Sequence, residues 1–138
     1  MRNPFFSYFR YMKLLLTLVF TITIFLASGQ SVTLKKKYLK TYVGEIPAYE
    51  VNLNNQLIPV NASTIEVRLT KDSVFVNVGS VKWEGTYSTS KIEKKKFELN
   101  GTMNETGIPE RLLLDTKAKK LTRRGLFPQP DVILERKK

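Results

Sequence analysis

The chain has 138 residues, with 23 Lys and Arg against 12 Asp and Glu, and neither His nor Cys. That length suits one domain. The missing residue types exclude disulfides, thiol nucleophiles and a zinc site, and they remove the commonest general base. The formal charge of +11 points to anionic partners such as lipid head groups, acidic polymers or nucleic acid, while Lys also serves as a solubiliser and guards sheet edges.

Residues 1–29 read as a removable export signal. Met12-Lys13 opens an uncharged apolar run from Leu14 to Ala27, too short for a bilayer span, and Ala27-Ser28-Gly29 supplies the small residues that a signal peptidase requires. Residues 1–11 are aromatic-rich for such a head, so Met12 is an alternative start. Gln30 at the cut resembles bacterial export signals, which implies a periplasmic or secreted protein. No Cys follows the run, so a lipoprotein anchor is excluded. The leader holds only Arg2, Arg10 and Lys13 of the charged residues; the rest lie in the expected mature domain, residues 30–138.

Beyond a polar, basic start at Ser31–Lys37, the pattern is period two, which places alternate side chains on opposite faces of a strand. Tyr38–Ile46 is expected as a strand with Tyr42, Gly44 and Ile46 on one face. Tyr49, Val51 and Leu53 alternate next, Asn54-Asn55 turns, and Gln56–Val60 returns as an arm that Pro59 confines to an edge. Ser63 to Tyr87 is the clearest stretch: Ile65, Val67 and Leu69 alternate with polar residues, as do Val81, Trp83 and Tyr87, with turns at Lys71-Asp72 and Gly79-Ser80. Val74 to Val78 is apolar on both faces, so its orientation stays open. Thr89–Lys94 reads as a polar turn. Lys95–Asn104, Ile108–Leu114, Lys120–Arg124 and Val132–Arg136 read as further strands, with the Pro-rich Gly125–Asp131 irregular. No helix is expected after the leader. Eight to ten short strands joined by tight turns predict an all-β fold, an antiparallel up-and-down meander closing into a small barrel, with a sandwich as the alternative.

Three segments support a family resemblance: Tyr42-x-Gly44-x-Ile46-Pro47-Ala48; Ile65-x-Val67-x-Leu69 with Asp72 and Phe75; and Trp83-x-Gly85-x-Tyr87. Leu112-x-Leu114-Asp115 and Leu121 fit the final hairpins. These resemble the small lipocalin-like (calycin) barrels of bacterial envelopes, nearest to the N-terminal domain of copper-resistance and surface-sensing envelope lipoproteins. The resemblance covers about half of the mature chain and implies the fold alone. The cysteines and lipid anchor that carry that family's chemistry are absent, so metal or redox sensing is not implied.

Chemistry-bearing constellations are few. Glu66 and Glu84 could neighbour each other as a carboxylate pair, but surface pairing with Arg68 or Lys82 explains them as well. No serine sits in a nucleophile elbow and no Gly-rich loop cradles phosphate. No catalysis, cofactor or metal is expected. Trp83, with Tyr42, Tyr49, Tyr87 and Phe97, forms the candidate ligand-binding set, although a barrel-plugging Trp and packed tyrosines are the simpler reading. Basic runs occur at Lys35–Lys37, Lys94–Lys96, Lys117–Arg124 and Arg136–Lys138. The densest offers an anion-binding patch of Lys117, Lys119, Lys120, Arg123 and Arg124. Asp72-Ser73-Val74 resembles a bacterial O-glycosylation acceptor in a turn. The expected function is non-catalytic binding of a small apolar or amphipathic ligand; the alternative is docking of a basic face on an anionic envelope polymer or a protein. Nucleic acid is not expected, and the membrane is met only through the cleaved leader.

Overall fold

The computed structural model describes residues 31–138; the expected leader lies outside them. The alternating segments form ten strands: β1 (Thr41–Ile46), β2 (Tyr49–Leu53), β3 (Gln56–Val60), β4 (Ser63–Leu69), β5 (Ser73–Val78), β6 (Val81–Glu93), β7 (Lys96–Met103), β8 (Pro109–Asp115), β9 (Lys120–Arg124) and β10 (Val132–Arg136). Eight of them close a barrel in the order β1-β10-β9-β8-β7-β6-β5-β4, all antiparallel. β2 and β3 pair only with each other, as a hairpin inserted between β1 and β4. One 3₁₀ turn, Lys36–Tyr38, precedes β1.

Closure depends on β1, which pairs with β10 on one side and β4 on the other. Following paired residues around the ring from Glu93 through Lys96, Asp115, Lys120, Glu135, Val43, Glu66 and Asn77 returns to β6 at Lys82. Such a stagger is what tilted strands require in order to close. Two ends follow. The proximal end carries the start of β1, the β4–β5, β6–β7 and β8–β9 turns, and the end of β10. The distal end carries the β2–β3 hairpin and the β5–β6, β7–β8 and β9–β10 connections.

The interior rows are those the alternation promised. Tyr42 and Ile46, then Ile65, Val67 and Leu69, and further round Leu99, Leu112, Leu114, Leu121 and Leu134 are buried in one core cluster. The ambiguous β5 resolves with Val74 and Val76 inward, leaving Phe75 outward beneath the Arg68 guanidinium, 4.0 Å from the ring centre. Segment 31–40 folds over the proximal mouth: the Val32 N–H donates to the Thr89 carbonyl at 2.9 Å, and Leu34 is buried among the core residues.

Two expectations change. The first strand starts at Thr41 rather than Tyr38, whose neighbourhood forms the 3₁₀ turn. Thr89–Lys94 is not a turn: β6 runs on to Glu93 because β7 supplies a partner out to Lys96, with a register shift between Lys91 and Glu93. Thr89, read as the first residue of that turn, is buried. The Gln56–Val60 arm forms as expected but stands apart from the barrel sheet.

Candidate functional site

At the distal mouth, the interior rows of β8 and β9 end in charge. Glu110 precedes Leu112 and Leu114 on the inward face of β8, and Arg123 follows Leu121 on that of β9. Both are buried, and they pair fork to fork: Arg123 Nε and Nη2 donate to Glu110 Oε1 and Oε2 at 2.5 and 3.0 Å. Nη1 donates to Gln129 Oε1 at 2.6 Å, tying the 125–131 loop to the barrel floor. Above the pair lies a pocket of about 200 Å³ lined by Trp83, Met103, Thr106, Ile108 and Leu126. Its volume falls below the roughly 300–1,000 Å³ usual for small-molecule sites. The distal connections also carry exposed apolar side chains: Leu53 and Leu57 of the hairpin, Val81 and Phe127.

The proximal end is different in kind. Lys35, Lys36, Lys37 and Lys40 lead into β1; Lys71 sits in the β4–β5 turn, Lys94 and Lys95 in the β6–β7 turn, and Lys117 and Lys119 in the β8–β9 turn; Arg136, Lys137 and Lys138 finish the chain. The acids at this end are largely engaged. Glu93 pairs with Lys96 and Glu135 with Lys120. Asp115 Oδ1 accepts the Lys117 and Ala118 N–H groups within its own turn, and those backbone bonds, first that of Ala118, hold its carboxyl below the usual range. The excess charge lines a groove of about 500 Å³ formed by Lys119, Lys120, Arg136, Lys137 and Lys138, with Glu135 as its one acid. A smaller pocket of about 170 Å³ adjoins it, lined by Lys37, Tyr38, Tyr42, Thr116, Lys119 and Arg136.

The aromatic candidates do not converge on one cavity. Trp83 lines the distal pocket, and Tyr49 packs against the core from the distal hairpin. Tyr42 lines the proximal pocket and donates its hydroxyl to the Tyr38 carbonyl at 3.1 Å. Tyr87 donates to the Thr70 carbonyl, and Phe97 packs near Tyr38 with ring centres 6.5 Å apart. The basic candidates divide as well. Lys117, Lys119 and Lys120 stay at the proximal end, whereas β9 carries Arg123 and Arg124 to the far end, where Arg123 is buried against Glu110 and Arg124 pairs with Asp131. Glu66 lies opposite Asn77 and pairs with Lys137, and Glu84 lies opposite Phe75, so the two carboxylates form no dyad.

Sequence reading missed Arg136 as a site residue because it sits in a terminal basic run. The signal was there: Val132, Leu134 and Arg136 share a face, which puts Arg136 at the mouth beside its cross-strand partner Tyr42. Comparison of the chain with protein-family models, with curated proteins and with solved structures gives no match.

Proposed function

We propose that this protein is an exported, non-catalytic binding module that docks its proximal end on an anionic polymer or protein surface of the bacterial envelope. One observation carries the reading: basic runs far apart in sequence gather at one end of the barrel, where few carboxylates are free to neutralise them. A long-range field of one sign raises the local concentration of polyanions and fades with ionic strength over a Debye length of about 10 Å at 0.1 M. The leader-like residues 1–29 support export, and the eight-stranded up-and-down order supports a lipocalin-like barrel. The non-catalytic reading is supported by Glu110, the one buried carboxylate among the described residues, being occupied by Arg123.

The test is binding to immobilised polyphosphate across a salt series. Lys119→Glu with Lys137→Glu and Lys138→Glu should weaken binding at least tenfold, while Lys82→Glu with Arg124→Glu at the distal end should change it less than twofold. Binding indifferent to salt, or lost equally in both variants, overturns the reading. A second reading, an apolar or amphipathic small ligand, is favoured by the distal pocket alone. The sole tryptophan lines it, so a shift in intrinsic fluorescence on adding a ligand would report occupancy directly.

A further inference from the structure

Within the proximal end, we propose that the pocket lined by Lys37, Tyr38, Thr116, Lys119 and Arg136 is a specific subsite for a phosphomonoester group. This rests on the docking reading and sharpens it, from a diffuse field to one built position.

Three interior rows of the barrel run out into this pocket. Val132 and Leu134 continue to Arg136, Leu112 and Leu114 continue to Thr116, and Leu121 is preceded by Lys119. Arg136 thus inherits the inward direction of a core strand, while Thr116 and Lys119 come from the β8–β9 turn just beyond the strand ends, Lys119 with a left-handed φ of 58°. Three cations and no carboxylate line the pocket.

Arg136 is set apart from the other arginines of the described residues. Arg111 pairs with Glu98, Arg123 with Glu110 and Arg124 with Asp131, and Arg68 lies over Phe75. Arg136 has neither a carboxylate within ion-pair distance nor an aromatic face among the described residues, and it lines both proximal cavities. A guanidinium without a partner keeps its forked donors for a ligand, and that fork matches phosphate.

The phenol and hydroxyls add selectivity. Tyr42 and Thr116 already donate, to the Tyr38 and Lys95 carbonyls, whereas the Tyr38 hydroxyl remains available to donate to an oxyanion. Charge of three favours a dianion over a carboxylate or a phosphodiester, each of which brings one negative charge.

The experiment is calorimetric titration of the full chain with glycerol 1-phosphate, with dimethyl phosphate and acetate as comparisons. The monoester should bind at least tenfold more tightly than either. Arg136→Gln and Lys119→Gln should each weaken it about tenfold, Tyr38→Phe about threefold, and Lys94→Gln, at the same end but outside the pocket, less than twofold. Bound monoester should also raise the Tyr38 phenol pKa, read as the difference between native and Tyr38→Phe titrations. If polyphosphate binds but Arg136→Gln loses no more than Lys94→Gln, or if the monoester shows no preference, the subsite is wrong and the docking reading stands. If polyphosphate also fails to bind, both fall.

Discussion

At the scale of single residues, the distal ion pair is the most consequential choice in the sequence. A buried pair roughly breaks even against well-packed apolar residues, but removing one partner strands a charge and costs about 3–5 kcal/mol. Glu110→Ala should therefore lower unfolding free energy by about that amount in urea titrations, whereas the double change Glu110→Leu with Arg123→Met should come out near neutral. The tyrosines give a pH signature. Burial raises the Tyr42 phenol pKa, and burial followed by the nearby Asp72 charge raises that of Tyr87. The folded values lie above the unfolded one of about 10, so the associated stability is complete below that pH and is lost as pH climbs through the folded values. Stability should fall above about pH 10, and Tyr42→Phe with Tyr87→Phe should flatten that decline while costing about 0.5–1.5 kcal/mol per lost hydrogen bond at neutral pH.

At the scale of elements, strand identity was legible wherever one face met the core, since Ile65-x-Val67-x-Leu69 and Phe97-x-Leu99 leave no other periodicity open. Asn54-Asn55 announced its hairpin, and both residues adopt left-handed φ of 52° and 62°. The second half of β6 was not legible. Ser88–Lys91 carries no apolar signal of its own, and its strand character comes from the neighbouring β7, which local composition does not reveal. Gly85 in the same strand allows β6 to approach β7 closely: a methyl there would run into the Thr102 carbonyl oxygen and lie 2.9 Å from Met103 Cε. Gly85→Ala should destabilise the barrel by about 1–3 kcal/mol, the usual range for overpacking, with a matching drop in thermal midpoint. The β2–β3 hairpin stands outside the ring, and its anchors Ile46 and Ser63 are already paired. Replacing residues 48–61 by a short Asn-Gly turn should leave the barrel's circular dichroism intact.

For the whole molecule, composition announced the positive charge and hid its placement. Connections of an up-and-down barrel alternate between ends, and Lys35–Lys37, Lys94–Lys96, Lys117–Lys120 and Arg136–Lys138 fall on the same parity, while the other connections carry Asn54-Asn55, Gly79, Gly107 and Pro128. That parity can be read only once the strands are counted, and a mistaken turn at Thr89 obscures the count. The aromatic set divides for the same reason: Tyr42 and Trp83 line cavities at opposite mouths. Crowded lysines repel one another, and a bound polyanion relieves them. Polyphosphate at about a hundred times its Kd should stabilise the native chain by about 2.7 kcal/mol, seen as a higher thermal midpoint that added salt abolishes.

β1 is held on both sides, by β4 early in the chain and by β10 at its far end. A growing polypeptide can therefore assemble the meander from β4 onward, yet the seam stays unzipped until Val132–Arg136 arrives. A version truncated before that strand would hold a curved, half-open sheet with Leu121 and Tyr42 facing water, a sticky gutter rather than a sealed tube. With no cysteine to clamp the gap, the last zip of hydrogen bonds decides whether the molecule is a closed can or a seed for aggregation.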